Sequence, residues 1–126
     1  MTMPLWLDDR SLVLASGSAV RRVLLGAASI PVEVCPSSID ERAIEARANL
    51  SSAGNIAALL AREKALAVAA GKAGRLVLGA DQTLALGARR FSKPTDRISA
   101  REQLSALRGC THELHSAIAV VRNEEI

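Results

Sequence analysis

Leu12-Val13-Leu14-Ala15-Ser16-Gly17-Ser18-Ala19-Val20-Arg21-Arg22-Val23-Leu24-Leu25 reads as a short apolar strand, a tight Ser-Gly-Ser turn and a helix opening with paired arginines. A strand passing straight into a helix begins an alternation that makes the chain α/β. Backbone N–H groups at a helix start lack partners within the helix and carry partial positive charge, which suits an anion. The hydroxyls of Ser16 and Ser18 and the guanidinium groups of Arg21 and Arg22 place further donors around the same point. The plainer alternative makes Ser18 an N-cap and leaves the arginines to solvent.

The alternation continues outward from this stretch. Residues 19–28 form the first predicted helix, with Leu24 and Leu25 as its apolar face, and Val32-Glu33-Val34-Cys35 alternates as a half-buried strand does. Pro36-Ser37-Ser38 ends that strand and delivers Ile39-Asp40-Glu41-Arg42 to a loop or turn. Residues 52–70 form the clearest helix: Ile56, Leu59, Leu60, Leu66 and Ala67 fall near a 3.6-residue period, Lys64 lies off that stripe, and Gly71 stands where a helix stops. The apolar run 75–80 suits a strand buried in a sheet; it leads into Asp81-Gln82-Thr83 and a second short strand over 84–86. A hairpin turn follows at Gly87-Ala88-Arg89-Arg90, and Phe91-Ser92-Lys93-Pro94 returns from it. Ser99 and Glu102 have the spacing of a capping box for a helix that buries Leu104 and Leu107 and stops at Gly109. Residues 112–121 form the last strand, with Arg122-Asn123-Glu124-Glu125 turning towards a partner arm that Ile126 would begin. Together these elements predict an α/β domain whose mixed sheet is flanked by helices.

A chain of 126 residues suits one domain with a real core. There is one Trp, one Phe and no Tyr, which argues against single-stranded nucleic-acid binding through aromatic stacking. The formal charge of +3, spread over dispersed basic residues, suits a pocket for a small polyanion as well as it would a nucleic-acid surface. No apolar run reaches the length of a membrane span. Cys35 and Cys110 show no metal-like spacing and are expected as buried, reduced thiols in a cytoplasmic protein. Residues 1–9 read as a loose lead-in, with Trp6 packing onto the core.

Candidate chemistry gathers where elements end. Asp81 directly follows an apolar strand, where α/β sheets place ligands, and its carboxylate suits a divalent cation or the activation of water. Asp40-Glu41 is a second acidic site beyond another strand, and Lys64 and Lys93 are placed to neutralise phosphate. No Walker or GxGxxG run is present, and neither thiol, nor His112 or His115, has a marked catalytic partner. An anion-binding turn, basic side chains and two carboxylate sites are the equipment for attacking a phosphorylated molecule with water.

Leu14-Ala15-Ser16-Gly17-Ser18 with Arg21-Arg22 and Leu24-Leu25, Asp40-Glu41, Glu63-Lys64-Ala65, Gly79-Ala80-Asp81-Gln82, Ser92-Lys93-Pro94 and the run 107–117 occur in that order. The series resembles the Maf-like nucleoside triphosphate pyrophosphatases, also called septum formation proteins. The resemblance implies hydrolysis of a nucleoside triphosphate to its monophosphate and pyrophosphate with Mg or Mn, and a link with arrested cell division. It also implies an elongated fold, similar to inosine triphosphatases, with a cleft between two lobes, and a homodimer. Carried over residue by residue, Ser16 and Arg21 hold the triphosphate with Ser18 and Arg22 in support, and Gln82 joins the substrate site. Glu41 and Asp81 bind metal, Asp81 is the general base, and Lys64 and Lys93 stabilise phosphate charge.

This chain departs from the family pattern in three ways. Ala19-Val20 stands where relatives have Pro followed by Arg, and Gln82 replaces a common Thr; both changes resemble the branch acting on 7-methyl-GTP. The resemblance also implies that residues 1–126 form a single Maf-like domain lacking its C-terminal third. The contrasting expectations are a non-catalytic nucleotide-binding or interaction fragment, and a shortened product that folds poorly.

Overall fold

The computed structural model describes residues 5–126. Five strands and four helices follow in the order β1 (Leu12–Leu14), α1 (Ala19–Ala27), β2 (Val32–Val34), α2 (Glu41–Ala48), α3 (Ala53–Ala69), β3 (Leu76–Leu86), β4 (Arg89–Phe91), α4 (Arg97–Leu107) and β5 (Glu113–Arg122). The sheet is mixed: β1 runs parallel to β2 and β3, while β4 and β5 run antiparallel to β3. The α/β expectation is met.

β3 organises the sheet. Residues 76–86 form one continuous strand rather than two short ones broken at Asp81, because β5 pairs with β3 from Leu76 to Ala85 and keeps it extended. The other edge of β3 is shared. β1 occupies it at Val77 and Leu78, and β4 occupies it from Leu84 to Leu86. Between these partners the edge of β3 forms a notch around Ala80–Thr83, and Asp81 lies mid-strand beside it instead of at a strand end.

One face of the sheet is covered by α3. Ala53, Ala57, Ala61, Ala65 and Ala69 recur every fourth residue and are all buried, so they form a ridge of small side chains along one side of the helix. The ridge lets α3 approach β3 closely at Gly79, where an added Cβ would lie 2.0 Å from the Ala61 carbonyl oxygen. Val13, Ala15, Ala65, Val68, Ala69, Val77 and Val121 form the core between sheet and helix. Of the expected apolar stripe, Ile56 and Leu60 are buried beside the ridge, whereas Leu59 and Leu66 are only partly buried and Ala67 is exposed.

Several local expectations are corrected. Residues 41–48 are helical rather than looped: Asp40 caps α2 by accepting the Ala43 N–H at 3.1 Å, and a left-handed Asn49 ends it. The capping box of α4 is made by Asp96 and Ser99, with Ser99 at the third helical position, so Glu102 has no capping part. Leu104 and Leu24 are mostly exposed, not buried. Cys35 is partly buried and Cys110 is exposed; both are free thiols. Trp6 is half-buried, and its indole N–H donates to the Arg10 carbonyl at 2.9 Å; residues 1–4 of the expected lead-in lie outside the described residues. The turn after β5 forms as expected, with reciprocal backbone bonds between Arg122 and Glu125. Among the described residues, no helix is long and apolar enough to cross a membrane.

Candidate active site

Strand alternation turns the odd-numbered side chains of β3 towards α3, and so puts the Asp81 carboxylate under that helix. Lys64, midway along α3, meets it with Nζ 2.9 Å from Asp81 Oδ1. The same ammonium lies 2.7 Å from Oε1 of Glu41, the first residue of α2. Side-chain exposure is 12% for Asp81 and 16% for Lys64 but 48% for Glu41, so Glu41 is the solvent-facing arm of the cluster. Burial works against the charge on Lys64, but its hydrogen bonds to Glu41 and Asp81 outweigh that cost and raise its pKa above the ordinary 10.5. Lys64 is therefore a fixed cation between two carboxylates.

The opening turn meets β3 beside this cluster. Ser16, buried at the end of β1, accepts from the Ser18 N–H at 3.2 Å and from Arg21 Nη1 at 2.9 Å. That guanidinium nitrogen also lies 3.1 Å from the Ala80 carbonyl, so Arg21 satisfies β3 where β1 has already left it. Ser18 is the N-cap of α1, its Oγ accepting the Arg21 N–H at 3.3 Å. The opening turn and the carboxylates thus adjoin through neighbouring residues, Ala80 and Asp81.

Among the described residues, Glu41 borders two cavities. One of ≈ 190 Å³ is bordered by Ser16, Gly17, Ser37, Glu41 and Lys64. The other, ≈ 340 Å³, is bordered by Glu41, Glu45, Asp81, Arg90 and Lys93. Glu41 is a wall of both, and the larger falls within the range of about 300–1,000 Å³ common for small-molecule sites.

The structure therefore brings together Ser16, Arg21, Glu41, Lys64 and Asp81. Lys93 borders the outer cavity from the exposed segment after β4 and pairs with neither carboxylate. Arg22 is exposed on α1, and its side chain joins none of these contacts. Gln82 borders the outer cavity beside Asp81, but strand alternation turns its side chain to the other face of β3, where its amide donates to Ser116 Oγ at 3.0 Å. Sequence reading missed Glu45 and Arg90, which pair across the outer cavity at 3.2 Å. The available signal was the Glu41–Glu45 spacing, which places both side chains on one face once 41–48 is recognised as a helix.

Comparison with known proteins gives the same frame. A nucleoside triphosphate pyrophosphatase of Rhodopseudomonas palustris strain BisB5 is 60% identical over 121 residues, which cover 96% of this chain and 60% of the relative. One of that name from Bradyrhizobium diazoefficiens is 49% identical over 124 residues, covering 98% of this chain and 61% of the relative. A 7-methyl-GTP pyrophosphatase of Mesorhizobium japonicum is 45% identical over 117 residues, covering 91% of this chain and 59% of the relative. The chain thus spans about 60% of the length of the curated relatives it matches. The Maf-like protein family model matches residues 11–126, a span that takes in every strand and helix of the sheet domain, and the chain belongs to that family.

Proposed function

We propose that this chain carries the cleaving site of a nucleoside triphosphate pyrophosphatase, which hydrolyses its substrate to a nucleoside monophosphate and pyrophosphate. The observation that carries this reading is Lys64 held between Glu41 and Asp81 at the notch in β3, next to the carbonyl that Arg21 binds. The names of the relatives support it. In this reading Ser16 and Arg21 hold the phosphate chain, with Ser18 and Arg22 in support, and Lys64 and Lys93 balance charge developing on phosphate oxygens. Lys64 engages Oδ1 of Asp81, which leaves Oδ2 to take a proton from the attacking water. The water oxygen bonds to the α-phosphorus as the bond to the β-phosphate bridging oxygen breaks, and pyrophosphate leaves with that electron pair.

Glu41 and Asp81 fit a divalent ion such as Mg or Mn: both are hard oxygen donors, and both already face one cationic nitrogen. Among the described residues no group of three or more His, Cys, Asp or Glu stands together, so phosphate and water oxygens would complete the shell, an arrangement Mg favours. Bound there, the ion would neutralise phosphate charge. The wider reading adds a homodimer and a cytoplasmic setting that keeps Cys35 and Cys110 reduced.

Pyrophosphate release from ordinary nucleoside triphosphates and from 7-methyl-GTP tests the proposal. The 7-methyl-GTP arm is suggested by Gln82 and by the name of the Mesorhizobium relative. Asp81→Asn should lower kcat at least about 100-fold, the scale of general base catalysis; unchanged turnover would refute the assigned base. Nucleotide binding without turnover by the parent protein would favour a non-catalytic binding role instead.

A further inference from the structure

The helix α2 lies across the outer cavity with little to hold it. It has no buried residue, and its inward side presents Glu41, Ile44 and Glu45, with Ile44 only half-buried. Among the described residues its two ion pairs to other elements lie one helical turn apart. Glu41 meets Lys64 on α3 at 2.7 Å, and Glu45 meets Arg90 on β4 at 3.2 Å. Arg90 is itself fixed by the pairing of β4 with β3, where it stands opposite Ala85. One end of α2 is therefore tied to the covering helix, and its next turn is tied to the strand on the far side of the notch.

We infer that Glu45 and Arg90 are a positioning pair: by pinning α2 to β4 they hold Glu41 over Lys64 and Asp81. The inference rests on the proposed pyrophosphatase reading for its catalytic consequence, but its structural content stands apart from it. Glu41 is half-exposed and reaches the cluster only from the first turn of α2, so its place depends on the orientation of that helix. Released from Arg90, α2 keeps Lys64 as its one ionic tether among the described residues and can swing about that end. Neither Glu45 nor Arg90 takes part in the chemistry; they set where Glu41 stands.

The test uses the parent protein, Glu45→Gln, Arg90→Gln, the double variant and Arg90→Lys. Partly exposed ion pairs contribute modestly, so each neutral variant should speed hydrogen exchange of the α2 amides about two- to five-fold and leave α3 amides unchanged. Turnover should fall by a similar factor through kcat, with KM for nucleotide nearly constant. The double variant should be no worse than either single one, and Arg90→Lys should retain most of the parent behaviour. Unchanged α2 exchange in both single variants, or additive effects in the double variant, would overturn the inference. If the parent protein turns over no nucleotide, the pyrophosphatase reading fails while the exchange measurements still decide whether the pair pins α2.

Discussion

Gly79 is the position where fold and site are most tightly joined. A Cβ built there would lie 2.0 Å from the Ala61 carbonyl oxygen, 2.8 Å from Ala65 Cβ and 2.9 Å from the Ala65 nitrogen, whereas ordinary van der Waals contact begins at 3.4 Å. None of these atoms belongs to a flexible side-chain end, so Gly79→Ala can be accommodated only by moving α3 away from β3 by more than an ångström. Overpacking a well-filled core costs about 1–3 kcal/mol, and three backbone-level clashes put this substitution at or above the upper end. For a domain of this size about 3 kcal/mol corresponds to a fall in Tm of about 10 °C. Gly26→Ala is the control: it lies in α1 with nothing within 4 Å of an added Cβ, and should be neutral or stabilising by about 0.5–1 kcal/mol. Urea denaturation followed by helical circular dichroism measures both. The same displacement would draw Lys64, which immediately precedes Ala65, off Asp81, so nucleotide turnover should fall with stability. A cost below about 1 kcal/mol for Gly79→Ala would refute the close-packing argument.

Arg21→Met removes the partner of the Ala80 carbonyl at the notch; it should cost about 1–3 kcal/mol in urea denaturation and weaken nucleotide binding in calorimetry. Glu33 accepts hydrogen bonds from Lys72 at 3.1 Å and pairs with Arg75 at 2.9 Å, and these cations lower its pKa below the ordinary 4.5. A depressed carboxylate pKa gives stability that is present above 4.5 and lost as pH falls through the folded value. Glu33→Gln should therefore be less stable than the parent at neutral pH, with the difference closing in acid; a gap that stays constant into acid would contradict this linkage.

Much of the fold was legible locally. Apolar runs gave β1 and the first half of β3, apolar alternation gave β2, and helical periodicity ending at Gly71 gave α3. What failed was local information that is ambiguous by nature. Asp40 suits a turn as well as a cap, so α2 read as a loop. Ser99 and Asp96 are both good caps, and the geometry of the entering chain decides between them. The alanine ridge of α3 was visible as a four-residue spacing, but only a strand glycine facing it gives that spacing its meaning.

The site divides in the same way. By itself the sequence determined the groups available for chemistry: a Ser-Gly-Ser turn with arginines, an acid on an apolar strand, a lysine off the apolar stripe of its helix. Only tertiary structure decided which of them meet. Asp81 is reachable because β1 leaves the edge of β3 after Leu78 and β4 joins it only at Leu84, and strand alternation turns its carboxylate towards Lys64. The same alternation sends Gln82 to the other face, onto Ser116. Pairing between strands and packing of a helix on a sheet act between residues far apart in the chain, which is why residue types declare the possible chemistry while non-local register selects the residues that carry it.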